Sequence, residues 1–84
     1  MTRNAEIRKE ILLQLYGARL VWHSAALITR QARKQGLDYT EAEVRAECEF
    51  LADQGIAQSS TDQVSGETKF KISSKGVIEY EKNQ

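Results

Sequence analysis

The sequence predicts a mainly α fold with a small β-hairpin, ordered α-β-α-α-β-β-α. Three observations carry that reading. Apolar residues recur three and four apart in separate stretches, as in helices with one buried face. The run TKFKI at 68–72 alternates polar and apolar side chains, as in a half-buried strand. A turn-rich segment, STDQVSGE at 60–67, joins that run to a short strand-like one before it, as in a hairpin. The 84 residues are read as one domain, 1–84. Its core is small, because a chain of this length buries only roughly 60–65% of its unfolded surface.

The first helix is expected over 4–17. Ile7, Ile11 and Leu15 make one apolar stripe, with Arg8, Lys9 and Glu10 mainly on the other side. Asn4 or Thr2 caps its start, and Gly17 ends it. Leu12, Leu13 and Tyr16 widen the apolar surface beyond what one contact needs. Two readings stay open: a central helix packed on several neighbours, or a homodimer interface. RLVWH at 19–23 is short and β-prone. Ser24 is an N-cap for a second helix over 24–36, which turns Leu27, Ile28, Gln31 and Ala32 inward and ends at Gly36. After a short turn at 38–40, Thr40 and Glu43 form a T-x-x-E capping box for a third helix over 40–54. Val44, Cys48 and Leu51 are its buried stripe and Gly55 its stop. The hairpin is expected over about 56–72, with Phe70 and Ile72 on one face and Lys69 and Lys71 on the other. Ser73 caps a last helix over 74–82, whose apolar contacts are Val77, Ile78 and Tyr80.

Two helices joined by a short turn and followed by a hairpin make a helix-turn-helix with a wing. In VRAECEFLADQGIA, the residues Cys48, Leu51, Gly55 and Ile56 are spaced as apolar, two residues, apolar, three residues, glycine, apolar. In KFKISSKGVIEYEK, the residues Ile72, Ser73 and Gly76 carry a strand straight into a capped helix. On those residues the chain resembles, over nearly its whole length, the winged-helix domains of bacterial regulators of the MarR and ArsR types. It is also similar to small winged-helix proteins of Mu-like phages and prophages. Those begin directly with the first helix and carry an aromatic where Phe50 stands. The resemblance implies a DNA-binding protein that resembles a transcription regulator.

Fold alone does not fix function. Twelve basic and twelve acidic residues give a formal net charge of zero, and no overall pull toward a polyanion. The third helix stands in the place of the DNA-reading helix. There Glu41, Glu43, Glu47, Glu49 and Asp53 face Arg45 alone, a net −4. With Val44 as the core direction, about 100° per residue puts Ala42, Ala46, Glu49 and Asp53 on the exposed pole. Glu41 and Glu43 suit the positive end of the helix dipole; Glu49 and Asp53 lie in the half it disfavours. Such a pole repels phosphate. The candidate DNA contacts are therefore Lys69 and Lys71 on the wing, the best pair because alternate positions share one face, with Arg30, Arg33 and Lys34 on the second helix, and Arg45, the third helix's own cation. A solvated charged face is the plainer reading of the same residues. Double-stranded DNA is one expected partner. The alternative is a non-DNA-binding adaptor for protein–protein contact or homo-oligomerisation, through Leu13, Tyr16, Phe50, Glu49 and Asp53.

Other features narrow the possibilities. His23 has no second histidine or cysteine nearby, so it is read as a surface or capping residue and not a metal ligand. Trp22 is expected to cover the core edge. Cys48, between two glutamates on the buried stripe, is read as a small hydrophobe and not a redox thiol. Phe50 lies off the stripe, packed on the hairpin or touching a partner. The sequence has no Gly-rich phosphate loop, nucleophile–base pair or two-histidine spacing, so no enzyme activity, cofactor or small-molecule site is expected. No apolar run reaches the ~18 residues of a membrane span. The start is polar, unlike a signal peptide, and one cysteine makes no disulfide framework; a cytoplasmic location is expected.

Overall fold

A computed structural model describes residues 2–83. The elements are α1 (Arg3–Gly17), β1 (His23–Ser24), α2 (Ala25–Lys34), α3 (Glu41–Asp53), β2 (Ala57–Thr61), β3 (Thr68–Ile72) and α4 (Ser74–Lys82). The strands form one antiparallel sheet in the order β1-β3-β2. A small helix-rich domain with such a sheet is compatible with a winged helix. Its element order is the predicted one.

Hydroxyl side chains start every helix. Thr2, Ser24, Thr40 and Ser73 accept hydrogen bonds from the amides of Ala5, Leu27, Glu43 and Gly76. Each satisfies a donor that has no partner inside the helix. Thr2, not Asn4, is thus the cap of α1. In α3 the capping box closes, with the Thr40 amide donating to Glu43 Oε1 at 3.1 Å. The ends of α2 and α3 share one geometry. Leu37 N–H donates to the Ala32 carbonyl and Ile56 N–H to the Leu51 carbonyl, around Gly36 and Gly55 at φ 87° and 76°. This is the Schellman arrangement, and it needs a residue without a Cβ at the turn. It explains the glycine–apolar spacing after α3: the turn folds Ile56 back against the core. Gly17 behaves differently. It has no positive φ and is simply the last helical residue before a turn over 18–20.

One hydrophobic cluster joins Ile7, Ile11 and Leu15 of α1 to Ile28, Val44, Cys48, Leu51, Phe70 and Ile72. Leu12 and Tyr16 pack against it, so α1 is a central helix with several neighbours. Burial pushes the Cys48 thiol up to about 12, helped by Glu49 and Glu47.

Several inward assignments change. Gln31 is exposed and Thr29 is buried instead. The Thr29 hydroxyl donates to the Ala25 carbonyl at 2.7 Å, so it enters the core without an unsatisfied group. Glu10 is buried, not outward, because its Oε2 accepts from the Gln14 and Gln35 amides at 2.7 and 2.9 Å. His23 is buried, not on the surface: β1 pairs it with Phe70. Tyr39, read as part of a turn, belongs to the core. On α4 Ile78 points to solvent, and Gly76 is the buried residue. A Cβ at Gly76 would run into the Ile56 carbonyl oxygen and the Ile72 side chain. The Ser73 hydroxyl bonds to the Gly55 and Ile56 carbonyls. Together they lock the start of α4 onto the turn that ends α3.

Candidate nucleic-acid interface

Helix α3 would present the interface, and most of its acids are occupied. Arg3 grips Glu43 with two guanidinium nitrogens, at 2.7 and 3.0 Å. That grip and the Thr40 amide hold the Glu43 carboxyl at about 2, well below its ordinary value. Arg8 lies 3.6 Å from Glu47 and stacks 4.5 Å from the Phe50 ring centroid. Two arginines of α1 therefore clamp α3 through Glu43, Glu47 and Phe50. Phe50 is part of this clamp and is otherwise 43% exposed. Arg45 is tied to Glu41 at 2.7 Å, one helical turn away. Among the described residues, Glu49 and Asp53 have no ion-pair partner. Both are exposed beside Ala42 and Ala46, on the predicted pole. The net −4 of the linear sequence becomes two unpaired carboxylates facing solvent.

The cations divide the same way. Lys69 sits 3.5 Å from Glu67 in the β2–β3 hairpin. The half-buried Lys71 lies over the Trp22 ring, 5.5 Å from its centroid. Lys75 donates to the Gln54 carbonyl at the C-terminal end of α3. Arg30, Arg33 and Lys34 are exposed, and among the described residues none of the three reaches a carboxylate. Ala26, Arg30 and Arg33 are spaced i, i+4, i+7 and share one face of α2. Ala26 also lines a cleft of about 430 Å³ where the N-termini of α2 and α3 meet Gly66, Glu67 and Thr68 of the β2–β3 hairpin. The cationic stripe thus starts at this cleft and runs along α2. The cleft itself holds Glu41 and Glu67 against Arg45.

The residues expected to touch a protein partner separate. Leu13 is 48% exposed on α1. Tyr16 is not free: it stacks on Tyr80 at 4.4 Å, its hydroxyl donates to Glu81 at 2.8 Å, and Arg19 covers its other side. It docks α4 onto α1 instead. The sequence reading missed Arg3 and Arg8 as the partners that neutralise α3. Their spacing of five against a spacing of four for Glu43 and Glu47 was the available signal, but it requires knowing that α1 packs on α3. No helix among the described residues is long and apolar enough to cross a membrane. Comparison with protein-family models, curated proteins and solved structures gives no match.

Proposed function

We propose that the chain is a winged-helix DNA-binding module that holds the phosphate backbone through α2. The observation that carries this reading is the exposure of Arg30, Arg33 and Lys34: three cations grouped on one helix with no carboxylate among the described residues to neutralise them. Of the other candidate contacts, Arg45 and Lys69 face carboxylates and Lys71 is held on Trp22. Phosphate contact positions a protein on a duplex without reading sequence, and three contacts make a weak attachment that salt removes easily. The exposed pole of α3 offers alanine and carboxylate, so it does not supply the usual arginine or glutamine base contacts. The role supported is sequence-tolerant DNA binding of a regulator-like kind.

A mobility-shift assay at low salt tests this. Arg30→Glu with Arg33→Glu should abolish the shift, and Lys69→Glu with Lys71→Glu should leave most of it. The opposite pattern overturns the assignment to α2. A second reading, an adaptor that docks a basic protein surface on α3, is favoured by the unpaired Glu49 and Asp53. Glu49→Lys with Asp53→Lys should strengthen DNA binding if this pole faces the backbone. Unchanged DNA affinity with loss of a protein partner would favour the adaptor.

A further inference from the structure

We propose that a second copy of this chain seats its Leu20–Val21–Trp22 loop in the groove along α1, joining copies head to tail. Leu20, Val21 and Trp22 are 87%, 52% and 37% exposed, three consecutive apolar residues between α1 and β1. A solvent-facing apolar run of that kind is avoided in small soluble domains unless something covers it. The loop is also fixed in place. The Val21 amide donates to the Ala18 carbonyl at 3.1 Å, Lys71 lies on the Trp22 ring, and the next residue, His23, is paired with Phe70. It is a knob and not a loose tail.

The same chain carries a matching recess. A groove of about 1030 Å³ follows α1, with apolar walls that include Leu12, Leu13, Leu37, Tyr39 and Tyr80. Its rim carries Glu6, Lys9 and Glu79, none in an ion pair among the described residues, and Arg8, which is tied to Glu47. The knob is flanked by cations. Lys71 has no carboxylate partner among the described residues, and Arg19 reaches Glu81 only at 3.9 Å while half exposed. An apolar knob beside cations fits an apolar recess whose unpaired rim charges, two carboxylates and one lysine, sum to negative. Knob and groove share no residue, so a copy that has used one still offers the other. Such a joint is heterologous, and it grows into chains unless the rotation between copies closes a ring. Neither surface includes Arg30, Arg33 or Lys34, so the proposal stands apart from the DNA-binding reading.

A complementation experiment tests it. Leu20→Ser with Val21→Ser removes the knob; Leu13→Asp spoils the groove, and Glu6→Lys at the exposed rim is a second groove variant that does not touch packing. Sedimentation of the parent chain should show mass rising with concentration. Trp22 is the chain's single tryptophan, so its emission should shift to the blue in step. Each variant alone should stay monomeric. A knob variant mixed with a groove variant should form a one-to-one dimer, a twofold rise in mass, and stop there. A parent that stays monomeric overturns the proposal. So does a mixture of variants that stays monomeric while the parent associates, which is the behaviour of a symmetric joint.

Discussion

At the scale of single residues, His23 and Gly76 make the sharpest demands. His23 is buried and its Nδ1 has no hydrogen-bond partner, so burial lowers its pKa. A base whose folded pKa lies below its unfolded value contributes fully above the unfolded pKa. Stability is then lost as pH falls through and below that value. The urea midpoint should therefore drop between about pH 7.5 and 5.5, spanning the ordinary histidine value of about 6.5. His23→Leu, which leaves no buried imidazole to protonate, should flatten that drop; an identical drop in the variant would place the cause elsewhere. Gly76→Ala should cost about 1–3 kcal/mol, the usual penalty of overpacking, since the neighbouring carbonyl cannot move without breaking the Ser73 cap. Chemical denaturation measures it, and an unchanged midpoint would contradict the contact. The Ser73–Gly76 spacing was legible because capping is local chemistry. The burial of His23 was not, because its partner Phe70 lies far along the chain and a lone histidine has no periodicity to read.

At the scale of elements, α1 and α3 are held by a charged clamp beside the core. Arg3–Glu43 and Arg8–Glu47 lie along the same pair of helices, with Phe50 under Arg8. Glu43 is a depressed carboxylate, so its stabilising contribution is complete above the ordinary 4.5 and is lost as pH falls toward about 2. Glu43→Gln should remove this part of the acid sensitivity, as followed by circular dichroism across that window. A variant with an unaltered acid transition would mean the clamp holds nothing. Cys48, beneath the clamp, should react with thiol reagents in the native state far more slowly than a free thiol, because burial raises it to about 12. Rapid native labelling would show that α3 opens. The helices themselves were legible to within a residue or two, since apolar period and caps are written locally. Which helix faces which was not, because pairing Arg3 with Glu43 requires the tertiary fold. The acidity of α3 was therefore read as a functional property of that helix alone, when two of its five acids serve to hold α1.

At the scale of the whole molecule, the formal charge is zero, and five of the twelve cations lie in ion pairs among the described residues. What a partner can meet is unevenly placed: cations on α2, two carboxylates on α3, an apolar knob, and an apolar groove rimmed by Glu6, Lys9 and Glu79. The sequence reading put the hairpin pair Lys69 and Lys71 first among six candidates, ahead of the α2 cations. Only the three-dimensional geometry sorted them: Arg45 and Lys69 face carboxylates and Lys71 lies on the Trp22 ring. The measurement that tests this sorting most directly is the salt dependence of binding to a duplex of arbitrary sequence, followed by fluorescence anisotropy from low to moderate salt. Three phosphate contacts should give a slope of log affinity against log salt near −2.7, at about 0.9 per contact, and Arg30→Gln with Arg33→Gln should bring it near −0.9. A parent chain with no salt-dependent binding, or a variant with the parent's slope, would contradict the assignment of DNA contact to α2.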